Sequence, residues 1–229
     1  MKNLLASLLD LLYPHTCDGC GIDLTHTEKV LCLRCQRRLP LTGYQHLPDN
    51  PVEKIFWGRV NIRHAMAAYY YRKSSLLQQL IYQFKYNQRE DIATHLGQQM
   101  GNILLQSRWL YEINSIIPVP IHPTKLQQRG YNQAILLANG IATVTGKPVM
   151  EEILFRNNYS PSQTNKGRLL RWQNVSGVFS IRPGNYLKDQ HILLIDDVLT
   201  TGATLEACSN LLVGAGAVVS ICTLAFAHH

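Results

Sequence analysis

Apolar residues follow two different periods along this chain. Short runs at residues 65–71, 115–120 and 218–226 have the length and composition of β-strands. Between the first two runs, residues 76–84 place their leucine, isoleucine and phenylalanine side chains on one helical face, and a second helix is expected from residue 91 to about 105. Strands and amphipathic helices in this arrangement indicate an α/β domain.

The most informative pattern lies at residues 191–205. Four apolar, branched residues at 192–195 predict a strand that is buried on both faces, in the middle of a parallel sheet. Two carboxylates, Asp196 and Asp197, end this run, and helical spacing resumes at Leu205. The loop between them contains Thr200, Thr201, Gly202, Ala203 and Thr204.

This loop has the composition of a phosphate site. Backbone N–H groups at a helix N-terminus, threonine hydroxyls and a glycine all favour a bound anion, and Thr204 is placed to cap or open the helix. The carboxylates would repel phosphate, so they are expected to bind vicinal hydroxyls of a ribose in the same ligand. The lysine of a Walker loop and the spaced glycines of a dinucleotide fingerprint are missing. Ribose 5-phosphate recognition remains, against an acidic strand end that caps a helix by chance.

The sequence IDDVLTTGAT at residues 195–204 resembles the phosphoribosyl pyrophosphate (PRPP) signature of the type I phosphoribosyltransferases. The resemblance implies that Asp196 and Asp197 face the ribose 2- and 3-hydroxyls. It implies that residues 200–204 hold the 5-phosphate, and that Mg²⁺ binds together with PRPP. The fold that it implies is a mostly parallel sheet flanked by helices, with the ligand at the carboxyl ends of the strands.

Four cysteines near the start of the chain form the pattern C-x2-C-x11-C-x2-C. They are Cys17, Cys20, Cys32 and Cys35. Four thiolates at this spacing can close a tetrahedron around Zn²⁺ and leave no ligand position open, so a structural zinc ribbon is predicted. Two disulfides or free thiols are the alternative, and a reducing cytoplasm favours metal binding over disulfides. The other two cysteines, Cys208 and Cys222, are expected to be small core residues.

The 229 residues can hold one domain of ordinary size and a small module. We predict a leucine-rich helix and the zinc ribbon at residues 1–39, a proline-rich linker at 40–58, and the phosphoribosyltransferase-like domain at 59–229. The leucine-rich segment at 4–12 is too short to span a bilayer and no export signal is evident, so a cytoplasmic location is expected. The net charge of +7 favours an anionic partner, either a polyphosphate or a nucleic acid.

A second candidate site follows the strand at 115–120, where Lys125 and Arg129 precede a helix and could clamp a pyrophosphate. Residues 118–138 resemble the ComF family of competence-associated, phosphoribosyltransferase-like proteins, in which a PVP strand end is followed by HP, a basic residue and RG(F/Y)NQ. The cysteine module, the leucine-rich start and the sequence QTNKGRLLRWQNVSGVF at 163–179 fit the same family. The resemblance therefore covers almost the whole chain.

In type I enzymes the region that corresponds to residues 156–179 is a mobile cover over PRPP. Here four basic residues could meet the diphosphate when the cover closes, or could belong to a solvated loop. They are Arg156, Lys166, Arg168 and Arg171. Lys166 departs from the family pattern, because relatives commonly carry an apolar residue at this position.

Two hypotheses about function follow. In the first, the chain is a phosphoribosyltransferase that serves competence or nucleotide salvage. A nitrogen acceptor would displace diphosphate at C1 of PRPP while Asp196 and Asp197 hold the ribose and Lys125 or Arg129 stabilises the leaving group.

In the second hypothesis, the chain is a non-catalytic factor of the DNA uptake machinery. It would bind PRPP or a nucleotide as a ligand and single-stranded DNA as a partner, because basic and aromatic residues are mixed at Arg72, Lys85, Tyr86 and Arg89. The zinc ribbon could also dock another competence protein.

Overall fold

The computed structural model of the protein describes residues 15–157, 178–183 and 187–227. The predicted leucine-rich helix at 4–12 lies outside them, as do Lys166, Arg168 and Arg171. The helices of the described residues are α1 (Leu33–Arg37), α2 (Pro51–Phe56), α3 (Leu76–Tyr86), α4 (Glu90–Leu104), α5 (Pro123–Arg129), α6 (Gln133–Thr145) and α7 (Ala203–Gly214). The strands are β1 (Ala65–Tyr70), β2 (Ser115–Pro118), β3 (Leu154–Arg156), β4 (Phe179–Ile181), β5 (His191–Leu199) and β6 (Val218–Phe226). None of the helices in these ranges is long and apolar enough to cross a membrane.

The central sheet has four strands in the order β1-β6-β5-β2, and all of its pairings are parallel. The side chains of Ile192, Leu193, Leu194 and Ile195 in β5 are fully buried, as expected for a strand that is covered on both faces. Strands β3 and β4 form a separate antiparallel pair. The predicted mostly parallel sheet with flanking helices is therefore confirmed.

Helices α4 and α6 approach each other closely at two glycines. A Cβ atom at Gly97 would lie 2.4 Å from the backbone oxygen of Leu137, and one at Gly140 would lie 2.4 Å from the backbone oxygen of Thr94. No side chain fits into this space. The apolar face of α6, predicted from Leu137 and Ile141 among others, is fully buried at these two residues.

Residues 40–58, predicted to be a linker, are ordered and pack against β1. The backbone N–H of Tyr70 donates to the oxygen of Pro40 at 2.8 Å, and that of Thr42 donates to the oxygen of Ala68 at 3.1 Å. Helix α2 buries Val52 and Phe56 completely. The three prolines of this segment suggest irregular structure, but Pro51 occupies the first turn of α2, where the missing N–H has no helical partner to lose.

Candidate functional site

Strand β5 continues through both aspartates to Leu199, four residues beyond the strand end predicted at Ile195. The ladder continues because β6 runs beside it, with Asp196 opposite Thr223 and Leu199 opposite Phe226. Both carboxylates therefore project from a strand in the interior of the sheet, near its carboxyl end. Their backbone is held on a rigid element rather than in a loop.

The two carboxylates are close neighbours with unequal environments. The backbone N–H of Asp197 donates to Oδ1 of Asp196 at 2.9 Å, and the backbone N–H of Val198 donates to Oδ1 of Asp197 at 2.6 Å. Burial and the neighbouring Asp197 carboxylate raise the pKa of Asp196 to about 7, against the opposing charges of Lys85 and Lys125. Asp196 therefore changes its charge near neutral pH.

Lys85 on α3 lies in this site. Its Nζ is 2.6 Å from Oδ2 of Asp197, and the two side chains are only 17% and 16% exposed. The mixture of basic and aromatic residues around Lys85 favours contact with DNA, but the helical spacing also indicates the position that Lys85 takes in the structure. Leu77, Ile81 and Lys85 repeat at four-residue intervals, which places Lys85 in line with the buried face of the helix.

The loop after β5 forms a small cavity at the N-terminus of α7. The cavity has a volume of about 50 Å³ and is lined by Asp196 and residues 198–205. It is much smaller than the roughly 300–1,000 Å³ typical of sites for drug-sized ligands. It therefore has room for one small group.

Gly202, and not Thr204, is the N-cap of α7, and a glycine has no side chain that could cap the helix. Its φ of 78° lies in the left-handed region, and a Cβ there would lie 2.9 Å from Cγ2 of Ile55. Gly202 therefore places no capping side chain between the first N–H groups of α7 and the cavity. These N–H groups can donate to an anion, as helix N-termini commonly do.

Arg59 holds the loop from outside, a role that no sequence pattern indicated. Its Nη1 donates to the carbonyl oxygen of Thr201 at 2.9 Å and to that of Ile55 at 3.1 Å. Its Nη2 is paired with Glu206 in the first turn of α7. The guanidinium thus ties α2, the loop and α7 together.

The second predicted site lies next to the first. The backbone N–H of Val119 donates to the oxygen of Ile195 at 2.9 Å, which places the segment after β2 beside Asp196. Lys125 is exposed, and its charge lowers the pKa of Asp196. The guanidinium of Arg129 lies 5.4 Å from the ring centre of Tyr86 and donates to Gln133 at 2.8 Å.

Among the basic residues predicted in the cover, the structure describes Arg156. Its guanidinium lies 5.2 Å from the ring centre of Phe179, across the β3–β4 pair. It therefore packs against an aromatic ring.

The four predicted zinc ligands converge. The sulfur atoms of Cys17, Cys20, Cys32 and Cys35 all lie within 4.8 Å of one another, and those of Cys20 and Cys32 are 3.7 Å apart. A tetrahedron with Zn–S distances of about 2.3 Å has edges of about 3.8 Å, so this cluster can bind zinc. Although burial raises the pKa of Cys17, hydrogen bonds from the backbone N–H groups of Cys32, Gly19 and Cys20 lower it to about 7. This favours at Cys17 the thiolate, which is the form that binds metal, whereas burial raises the pKa of Cys35.

The cysteine module is fastened to the rest of the protein by Arg89. The guanidinium of Arg89 donates to both oxygens of Asp18 at 2.6 and 2.7 Å, and to both oxygens of Asp91 at 2.9 and 2.7 Å. Asp18 lies between two of the cysteines. Arg89, like Lys85, is therefore paired within the protein instead of forming the expected basic surface.

Comparison with known proteins identifies relatives over most of the chain. Residues 134–229 match the family described as "Phosphoribosyl transferase domain". The chain is 26% identical over 212 residues to "Competence protein F" of Haemophilus influenzae, which covers 86% of this chain and 90% of that protein. It is 29% identical over 198 residues to "DNA utilization protein YhgH" of Escherichia coli, strain K12, which covers 84% and 82%. These matches and the sheet topology confirm the predicted fold class.

Among solved structures, one similar chain is the glutamine PRPP amidotransferase from Bacillus subtilis, in complex with ADP and GMP. The match has a TM-score of 0.43 and 21% sequence identity. It covers 62% of this chain and 30% of that enzyme's chain.

Proposed function

Because the chain belongs to the ComF family of phosphoribosyltransferase-like proteins, we propose that it binds PRPP together with Mg²⁺. One arrangement supports this ligand above others. Two carboxylates project from the end of β5 beside a small cavity at a helix N-terminus whose N-cap is a glycine. A ribose 5-phosphate needs acceptors for its hydroxyls and an anion site nearby, because one ligand has to reach both.

In the proposed complex, Asp196 and Asp197 accept hydrogen bonds from the ribose hydroxyls, and the 5-phosphate accepts hydrogen bonds from residues 200–204. Carboxylate oxygens suit Mg²⁺, which prefers one or two carboxylates together with substrate phosphates, so the same two residues would hold the ion. When bound, Mg²⁺ supplies positive charge to the diphosphate. Lys125 adds charge at the same edge of the sheet.

The proposed reaction is a displacement at C1 of the ribose, in which a nitrogen acceptor forms the new bond as diphosphate leaves. The carboxylates would stabilise the positive charge that develops on the ribose ring. No nucleophile from the protein is needed. Relatives named for competence and DNA utilization favour a role in the uptake or use of DNA, with nucleotide salvage as the other process that this chemistry serves. We propose the cytoplasm as the compartment, because a zinc-thiolate cluster needs reducing conditions.

The decisive experiment is calorimetric titration with PRPP and Mg²⁺. The wild-type protein should bind PRPP, and the Asp196→Asn, Asp197→Asn double variant should not. Asp189→Asn is the matched control, because Asp189 is exposed and precedes β5 at the opposite end of the strand. Failure of the folded wild-type protein to bind PRPP would refute the proposal.

A second function, binding of single-stranded DNA, is favoured by an aromatic surface on α3. Tyr82 and Tyr86 are 58% and 61% exposed, and their ring centres are 5.0 Å apart. With Arg129 beside Tyr86, they provide the stacking surface and the charge that single strands require.

Fluorescence anisotropy with a labelled oligothymidine would test this second function. Binding should weaken steeply with salt and should be lost in the Tyr82→Ala, Tyr86→Ala double variant. Tyr111→Ala is the control, since Tyr111 is 82% exposed and lies outside this surface. If the double variant binds the oligothymidine as tightly as Tyr111→Ala does, the α3 surface is excluded as the binding site.

A further inference from the structure

Under the proposed function, a ribose hydroxyl would approach the carboxylate oxygen of Asp197 that Lys85 contacts. The ammonium of Lys85 is 2.6 Å from Oδ2 of Asp197, and little of either side chain reaches solvent. The other oxygen of this carboxylate, Oδ1, already accepts the backbone N–H of Val198 at 2.6 Å. Each oxygen of Asp197 thus has a partner within the protein. A ligand that binds here has to compete with Lys85.

The backbone of Lys85 is fixed on both sides. The preceding residue, Phe84, is fully buried, and its carbonyl oxygen accepts a hydrogen bond from the hydroxyl of Tyr131. Four residues after Lys85, the guanidinium of Arg89 is held by Asp18 and Asp91. The helix end therefore has little freedom to withdraw, and the flexible four-carbon stem of the lysine is the part that can move.

An ammonium that leaves Asp197 needs a new anionic partner. Moving it from a short, charge-assisted hydrogen bond into a partly buried space with no partner is unfavourable. A bare ribose phosphate offers only the 5-phosphate, which the loop at 200–204 would hold. A diphosphate at C1 would add negative charge on the side of the ribose ring opposite to the 5-phosphate.

We infer that Lys85 is an exchangeable counter-ion, which pairs with Asp197 in the free protein and moves to the diphosphate when the ribose hydroxyls bind Asp197. This inference rests on the proposed function. Lys85 would then be a positioning residue that couples two recognition events. Ribose binding releases the ammonium, and only a ligand with a second anionic group accepts it. The exchange would therefore make the site selective for PRPP over ribose 5-phosphate.

The test compares these two ligands by calorimetry, each with Mg²⁺. In Lys85→Met, which keeps most of the stem, PRPP should bind roughly tenfold or more weakly, because a charge-assisted hydrogen bond is lost. The affinity for ribose 5-phosphate should change by less than about threefold. The variant loses the attraction between the ammonium and the anionic ligand, but the ion pair of Lys85 with Asp197 no longer has to be broken. The dissociation constant of ribose 5-phosphate divided by that of PRPP should therefore fall by roughly threefold or more. Lys85→Arg should restore part of the ratio.

Lys54→Met is the matched control. Lys54 is an exposed lysine above the ring of Trp57, so its substitution removes the same charge outside the site. A purely structural ion pair would change both affinities by the same factor, and that result would overturn the role of Lys85. If folded wild-type protein binds neither ligand, the proposed function itself fails and the inference with it.

Discussion

The Nη1 atom of Arg59 donates a hydrogen bond of 2.9 Å to the carbonyl oxygen of Thr201, a residue 142 positions later in the chain. Helix N-terminal sites bind anions through N–H groups whose directions depend on the loop backbone. Arg59 holds this backbone without facing the cavity. The affinity of the site for phosphate should therefore depend on a residue that does not touch the ligand.

We expect Arg59→Met to weaken the binding of ribose 5-phosphate by roughly three- to tenfold, because the carbonyl of Thr201 and Glu206 both lose a charged partner. Isothermal titration would measure the effect. Arg63→Met is the control, since Arg63 is another exposed arginine, paired with Glu112 at 2.9 Å. An equal loss in both variants would indicate a general effect of surface charge.

The ionisation of Asp196 should make stability depend on pH. Its pKa is raised to about 7 by burial and by Asp197, so the folded state binds a proton that the unfolded state has already lost above its ordinary pKa. Stability is therefore lost as the pH rises toward 7. Asp196→Asn should remove this loss, and its melting temperature should exceed that of the wild type by roughly 2–5 °C at about pH 8.

Thermal unfolding of both proteins from about pH 5 to about pH 8 would show the gap widening with pH. Asp189→Asn should follow the wild-type curve across this range. If the curve of Asp196→Asn also runs parallel to the wild type, Asp196 does not titrate in this window.

The cysteine cluster should bind one metal ion per chain. Co²⁺ added to metal-free protein should give the absorption of a tetrahedral thiolate site, because four sulfurs already converge. Cys20→Ser should lose or alter this spectrum. Cys208→Ala should retain it, since Cys208 is buried on α7, outside the cluster. A spectrum that required Cys208 would contradict the assignment.

The close approach of α4 and α6 leads to a stability prediction. Gly97→Ala should destabilise the fold by about 2 kcal/mol or more, because the added methyl meets the backbone of Leu137 and not a flexible side chain. Gly214→Ala, at the end of α7, meets no atom within 4 Å and should be neutral or slightly stabilising. Chemical denaturation of both variants would decide, and similar midpoints would show that the helices can move apart.

Much of the fold could be predicted because its core follows simple periods. The buried run at 192–195 and the helical face of α3 appear in the structure where the sequence placed them. The segment at 40–58 could not be recognised in this way. Its prolines suggest a linker, and its order comes from contacts with β1 that no local pattern encodes.

The candidate site, like the fold, could be predicted from the sequence only in part. Asp196, Asp197 and the loop at 200–204 are contiguous, so their motif is visible in the sequence. Lys85 and Arg59 reach the site from segments more than 100 residues away, and a charged residue on an amphipathic helix is usually solvated. Their roles became evident only from the ion pair and the hydrogen bond that they form.

Strand β1 is an outer strand of the sheet, and residues 40–42 cover its free side. Unpaired N–H and C=O groups on an outer strand are templates for pairing with another molecule. A shortened protein that begins at residue 59 would keep Asp196, Asp197 and the loop at 200–204, yet would expose this side of β1. We expect such a fragment to self-associate and precipitate, whereas one that begins at residue 40 should stay monodisperse. Residues 40–42 therefore also protect the protein against aggregation.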